Sequence, residues 1–316
     1  MNSSVIHAAS FLRNAELVAI PTETVYGLAG NALNAAVVLK IFEAKERPSF
    51  DPLIVHVPSM EAAFLYAEEV PAVALKLMEA FWPGPLTLVL KKKDCIPDVV
   101  TSGLDTVGLR MPNHPMTLEL LRNLDFPLAA PSANPFGYIS PTTAQHVMDQ
   151  LNSKIAMVLD GGACKVGVES TIVGFEDGET VVYRLGGLTL EDIRNVAGEV
   201  VVRVNNSSDP KAPGMLKSHY APSKPLYISN DLQALINAND SYRLAVICFG
   251  DVSIDEKHAI YNLSLKGNFE EAAANLFSFL REIDQRNDID VIVASFVPEV
   301  NLGFAINDRL SRAAVK

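Results

Sequence analysis

One break constrains this chain more than any other feature. From 205 to 225 it reads NNSSDPKAPGMLKSHYAPSKP. The stretch is rich in Pro, Ser, Asn and Lys, a composition that marks a linker. The chain is therefore expected to fold as two units, 1–204 and 226–316, joined by 205–225. Length agrees, because 316 residues at roughly 100–200 per domain gives two domains. Hydrophobic residues make up 49% of the chain and charged residues 20%, which supports real cores and excludes wholesale disorder.

Short apolar runs alternate with helical patterns in the front unit. Helices are expected at 6–14, 35–43, 60–68, 71–81 and 142–151, with Asn34 capping the second and Pro141 setting the start of the last. Strands are expected at 17–20, 53–57, 86–90, 107–111, 127–130, 157–160, 170–175 and 180–184. The second unit carries strands at 226–228, 243–249 and 290–296 and helices at 269–284 and 302–314. Mixed strand–helix order of this kind predicts α/β architecture in both units, with a mixed sheet in the first.

The net charge is −11 and neither unit is basic, so a broad nucleic-acid footprint is not expected. Cys95, Cys164 and Cys248 are widely separated and form no CxxC pair. A disulfide scaffold or cysteine zinc site does not fit them, and a reducing cytoplasm does. No apolar run reaches the ~18 residues of a membrane helix. The first twenty residues, with Arg13 as their first basic residue, lack the pattern of a signal peptide.

No P-loop, GxGxxG, HExxH or GxSxG motif occurs, so candidate chemistry is sought in polar loops at strand ends. Pro21-Thr22-Glu23-Thr24-Val25-Tyr26-Gly27 is either a ligand loop or a turn with a helix cap. Lys45-Glu46-Arg47-Pro48 is expected to be extended between its prolines, so that Lys45 and Arg47 face one anion; the competing reading is a solvated loop. His56 in an apolar strand is by itself more often a satisfied core residue than a ligand. Arg110 ends a strand and fits either a carboxylate clamp or a structural ion pair. Ser132, Asn134, Ser140 and Thr142 cluster at a strand-to-helix turn whose helix start offers N–H groups to phosphate. Ser170 and Arg184 close the set. Three arginines and a lysine with few carboxylates favour a strongly anionic ligand such as ATP.

The strings Pro21-Thr22-Glu23-Thr24-Val25-Tyr26-Gly27-Leu28, Lys45-x-Arg47-Pro48, Phe81-Trp82-Pro83-Gly84-Pro85-Leu86-Thr87, Ser132-Ala133-Asn134 and Glu169-Ser170-Thr171 together resemble the YrdC family, over about 4–204. Ser218-His219-Tyr220-Ala221-Pro222 and Asn301-Leu302-Gly303-Phe304-Ala305-Ile306-Asn307-Asp308-Arg309-Leu310 resemble the linker and the end of the second domain of its two-domain form. The resemblance implies an open, twisted mixed sheet around a cationic cavity, a smaller Rossmann-like C-terminal domain, and a linker that closes as a lid.

It also implies synthesis of threonylcarbamoyl-AMP from L-threonine, bicarbonate and ATP, for the threonylcarbamoyladenosine of tRNA. By motif, Thr24, His56, Arg110, Ser170 and the Ala130 backbone form the threonine site, with Arg110 on the carboxylate. Lys45, Arg47, Asp51, Thr106, Ser132, Asn134, Ser140, Arg184 and Tyr220 form the ATP site, with Lys45 and Arg47 in the catalytic role. Mg²⁺ is expected to travel with ATP and no residue is assigned to a metal. Expected partners are the substrates and, transiently, the tRNA-modifying proteins that use the product. One departure falls at Phe50-Asp51, where the family often reads Asp-Asn. Two competing readings are an RNA-binding module using the cavity and a hydrolase using Ser132, Ser170 or Cys164.

Overall fold

The computed structural model describes residues 2–48, 51–203 and 219–314. Most of the expected linker, from 205 to 218, lies outside the described residues, as do Ser49 and Phe50.

The front unit carries strands β1 (Val18–Ile20), β2 (Gly27–Asn31), β3 (Ile54–His56), β4 (Leu86–Lys91), β5 (Thr106–Arg110), β6 (Leu128–Ala129), β7 (Met157–Val158), β8 (Thr171–Glu176), β9 (Glu179–Arg184) and β10 (Val200–Val202). They form one mixed sheet in the order β10-β9-β8-β4-β5-β3-β6-β2-β1-β7. Its helices are α1 (Ser3–Arg13), α2 (Ala35–Lys45), α3 (Met60–Ala63), α4 (Ala72–Phe81), α5 (Asp98–Thr101), α6 (Pro115–Arg122), α7 (Ala144–Leu151) and α8 (Leu190–Ala197). The second unit has β11 (Leu226–Ser229), α9 (Leu232–Ala238), β12 (Leu244–Cys248), β13 (Ala259–Asn262), α10 (Phe269–Gln285), β14 (Val291–Ser295) and α11 (Gly303–Ala314). Its four strands are all parallel, in the order β11-β14-β12-β13. Among the described residues no helix is long and apolar enough to cross a membrane.

Local chemistry explains several boundaries. Asn34 caps α2 as expected, accepting from the Ala36 and Val37 amides. That helix runs on through Lys45 and ends where Glu46 turns left-handed, at φ 54° and ψ 36°. The extended geometry expected for Lys45-Glu46-Arg47 is therefore wrong: the lysine closes a helix and the arginine follows the turn. The 60–68 helix is one turn long, because only Met60–Ala63 is helical. The loop after Pro21 leads into strand β2 rather than a helix. Helix α7 starts at Ala144, and Thr143 caps it by accepting from the His146 amide.

The two units share a core. Val25, Ile139 and Val168 of the first pack with Tyr220 and with Leu276, Phe277 and Ile306 of the second. Arg281 of α10 is buried in this junction. It donates to the carbonyls of Ile139, Ser140 (3.2 Å) and His146 (3.3 Å) and to the side chain of Gln150 (3.0 Å). Gly167, at φ +77°, lets α10 come this close: a Cβ there would lie 2.4 Å from the Ala273 carbonyl oxygen. Ser140 is thus held by the second unit through its own backbone.

Candidate active site

The site gathers at one end of the middle strands. Because β3 and β5 are parallel, His56 pairs with Arg110 where both strands end. Strand β9 runs antiparallel to β8, so Arg184 at its end lies across from Ile172, close to Ser170 just before β8. Ser132 pairs with Gly27 where β2 begins. His219 and Tyr220 arrive from the linker's far end.

Each cation entering this space has a buried partner. Arg110 Nη2 lies 2.8 Å from Glu23 Oε1 and donates to Thr24 Oγ1 at 2.9 Å. Glu23 is itself aimed by the Asn113 amide, which donates to Oε2 at 2.9 Å. Thr22 makes the turn that presents both residues, accepting from the Thr24 and Val25 amides. Arg47 pairs with Asp51 at 2.8 Å and donates to the Asp51 and Pro52 carbonyls at 3.2 and 2.9 Å. Arg184 donates to the Ser170 carbonyl and hydroxyl at 2.9 and 3.0 Å. Lys45 Nζ donates to the Ser132 and Asn134 carbonyls at 2.5 and 2.6 Å, which fixes that loop to the end of α2. Three carboxylates, Glu23, Asp51 and Glu169, lie among these cations, so the site is not poor in carboxylates as expected. Buried charges survive only when paired.

Burial sets the protonation chemistry. It lowers Lys45 well below its ordinary range, and nearby Arg47 adds to that. It raises the Asp51 carboxyl against the pull of Arg47 and Lys45. His56 is pushed down to about 3 by burial and by Arg110, so its ring is neutral; its buried Nδ1 finds no hydrogen-bond partner among the described residues. His219 is likewise lowered to about 3, by burial first and then by Arg47, Lys45 and Arg184, against Glu169. For Glu169, burial alone would raise the carboxyl. Arg309, Arg184 and the Ser140 hydroxyl outweigh it and hold the group below the usual carboxylate range.

An enclosed cavity of about 50 Å³ remains, lined by Arg47, His56, Arg110, Ser132, Arg184 and Tyr220 among others. Typical ligand sites measure roughly 300–1,000 Å³. His219 and Tyr220, whose ring centroids are 4.1 Å apart, form part of the cavity wall. Tyr220 stacks on Phe277 at 5.4 Å, and the Ala221 amide donates to the Gly137 carbonyl at 2.9 Å.

Of the residues expected at the site, Arg47, His56, Arg110, Ala130, Ser132, Arg184 and Tyr220 line this cavity. Thr24, Lys45, Asp51 and Ser170 stand directly behind it, bonded to lining residues. Asn134 donates to the Pro135 and Tyr138 carbonyls, and Ser140 donates to Glu169 at 2.6 Å. Thr106 is not gathered in: it opens β5, four residues before Arg110, roughly 13 Å along the strand. The start of α7 is not an open phosphate site either, because Thr143 caps it and the Thr142 amide donates to His146.

Four residues lie in strings that the sequence reading singled out but received no site role there: Glu23, Glu169, His219 and Arg309. Glu23 sits between Thr22 and Thr24, and Glu169 sits beside Ser170, both at strand ends, where a buried carboxylate demands a cation. Arg309 shares a helical face with Ala305, Ile306 and Ala313, all buried, and a charge on an apolar face was the available signal. The hydrolase reading loses two of its three candidate nucleophiles, Ser170 and Cys164, on chemistry. The Ser170 hydroxyl meets Thr87 and Arg184, not a base, and burial pushes the Cys164 thiol up to about 12.

Comparison with known proteins adds to this geometry. Residues 10–186 match the Sua5–YciO–YrdC family model, described as telomere recombination, and 188–315 match the model of the threonylcarbamoyl-AMP synthase C-terminal domain. Threonylcarbamoyl-AMP synthase of Pyrococcus abyssi is 43% identical, over 97% of this chain and 93% of its own. The Bacillus subtilis protein of that name is 42% identical, over 98% and 92%. A crystal structure of P. abyssi Sua5 complexed with L-threonine superposes with a TM-score of 0.91 at 42% identity, covering 98% of this chain and 94% of that one.

Proposed function

The chain belongs to the Sua5–YciO–YrdC family in its two-domain form, and we propose that the paired charges around its cavity join L-threonine, bicarbonate and ATP. It makes threonylcarbamoyl-AMP, as an enzyme of nucleotidyltransferase type with L-threonine and ATP as substrates. The observation that carries the residue assignment is the convergence of Arg47, Arg110 and Arg184 on one enclosed cavity.

The neutral amine of threonine attacks carbon dioxide derived from bicarbonate, and loss of its proton to solvent leaves a carbamate. A carbamate oxygen attacks the α-phosphorus of ATP. The bond to the β-phosphate oxygen breaks, and pyrophosphate leaves. The protein forms no covalent bond, so positioning and charge stabilisation supply the rate.

Arg110, already holding Glu23 and Thr24, binds the threonine carboxylate, beside His56, Ser170 and Ala130. The Ala130 amide donates to the Ile54 carbonyl at 3.0 Å, so any backbone contact of Ala130 with the threonine amine is made by its carbonyl, which accepts. Arg47 and Arg184 neutralise phosphate, with Lys45 holding the Ser132–Asn134 loop against them and Ser140 alongside. Asp51 keeps Arg47 aimed. Thr106 is the assignment that geometry supports least.

Asp51 and Glu169 are already committed to Arg47 and Arg309, so a Mg²⁺ brought by ATP would be held mainly by the phosphates, where it would supply charge neutralisation. The His219–Tyr220 segment leaves to admit ATP and returns over it, with the Tyr220 ring against the nucleotide. A lid of this kind keeps water from the labile carbamate. The product feeds tRNA modification through proteins that use it, and no tight nucleic-acid contact is needed. Three unpaired cysteines suit a reducing cytoplasm.

The test is isotopic. With ¹³C-bicarbonate, threonine and ATP, the adenylate product should gain one mass unit, and omitting threonine should abolish it. An adenylate without the label would overturn the bicarbonate step.

A further inference from the structure

Arg309 stands on α11, in the second unit, yet its side chain is fully buried against the first. Every edge of its guanidinium is used. Nε donates to Glu169 Oε2 at 2.8 Å, Nη1 to Asp308 Oδ2 at 2.6 Å and Nη2 to the Leu185 carbonyl at 2.8 Å. Its central carbon lies 5.2 Å from the Tyr220 ring centroid. Three of these four partners lead into the site. The other Glu169 oxygen accepts from Ser140, Leu185 directly follows Arg184, and Tyr220 lines the cavity.

We propose that Arg309 is a positioning residue for the adenylation step: it holds Ser140 through Glu169, Arg184 through the Leu185 carbonyl and Tyr220 through its ring, and cancels the charge of Glu169 beside the triphosphate. The inference rests on the synthase reading. It gives the second unit a part in ATP binding beyond tethering the linker. Arg281, another deeply buried arginine of that unit, makes the useful contrast. Its bonds run to backbone carbonyls and to Gln150, so it docks the units without balancing a carboxylate in the site.

The double role makes a specific rescue expected. In Arg309→Met, Glu169 is left buried without its main cation and opposes phosphate. Exchanging that carboxylate for an amide as well removes the opposition.

The experiment measures kcat and KM for ATP and for threonine by pyrophosphate release, in the full-length chain. Arg309→Met should lose about 10²-fold in kcat/KM for ATP, with KM for threonine little changed. The double variant Arg309→Met, Glu169→Gln should regain roughly tenfold of that loss. Arg309→Lys, which keeps the charge without the planar fork, should fall between. Arg243→Ala breaks an exposed pair of the same unit and should match wild type. If Arg309→Met does not fold, the lysine and double variants still decide. Wild-type kinetics in Arg309→Met would overturn the proposal. So would a lysine variant as impaired as methionine together with no gain on adding Glu169→Gln, the pattern of a mere docking residue. A wild-type chain without threonine-dependent pyrophosphate release would overturn the synthase reading instead.

Discussion

Among the ion pairs of the described residues, two sets of three contrast sharply in where they sit. Around the cavity, Arg47–Asp51, Arg110–Glu23 and Arg309–Glu169 have side chains between 0 and 8% exposed. At one end of the second unit, Arg243–Asp290, Lys257–Asp240 and Arg286–Asp288 are between 37 and 62% exposed. The outer pairs cost little to form and contribute little. The inner ones carry a desolvation penalty that their attraction barely repays, so apolar residues would serve stability as well. Retaining three such pairs around one cavity makes sense if an anionic substrate completes the charge balance. One population is solubility and the other is a binding site.

The contrast breaks most sharply by deletion. Lys45→Ala or Arg47→Ala should lower pyrophosphate release by at least ~10²-fold. Arg47→Ala also strands Asp51 in the interior and should cost about 3–5 kcal/mol of stability, readable by urea unfolding. Near-normal turnover and ATP affinity in both variants would remove the phosphate assignment. A smaller effect sharpens the threonine side. Arg110 reads the carboxylate of threonine and serine alike, so discrimination rests on one methyl group and should be ~10–200-fold in competition. Equal use of the two amino acids would contradict it.

The lid gives a pH-dependent case. Docked, the His219 ring titrates at about 3; undocked, an imidazole takes its proton near 6.5. Docking is therefore at full strength above about pH 6.5 and weakens as pH falls toward 3, by about tenfold in population per unit. Protection factors of the Tyr220 and Ala221 amides should fall accordingly between pH 7 and 5, and the slope should vanish in His219→Asn. An unchanged slope in that variant would place the titration elsewhere. The smallest effect belongs to the outer population. Arg243→Ala should leave both turnover and the unfolding midpoint at wild-type values.

How much of this the sequence discloses depends on the range of the interaction. The Asn34 cap, the strand–helix order and the polar loops are local and could be read directly. Strand β2 could not: Gly27-Leu28-Ala29-Gly30-Asn31 is poor strand sequence. It is a strand because β1 and β6 pair with it, and because a Cβ at Gly30 would meet Val37 at 2.7 Å. Helix α8 was missed although Thr189 and Asp192 form a capping box, a signal that is legible. Lys45 and Arg47 are singled out on an expected extended geometry that the structure does not have, since Glu46 between them turns rather than extends. The pairing of charges was beyond sequence reach. Arg309 and Glu169 lie 140 residues apart, and only the docking of α11 on the first unit brings them together.

The most direct measurement is pyrophosphate release by the intact chain with L-threonine, bicarbonate and ATP each withheld in turn. Release should require all three, and each omission should drop it to background. Release that persists without threonine or without bicarbonate would mean that the cavity hydrolyses ATP rather than adenylating a carbamate, and would contradict the reading of its paired charges.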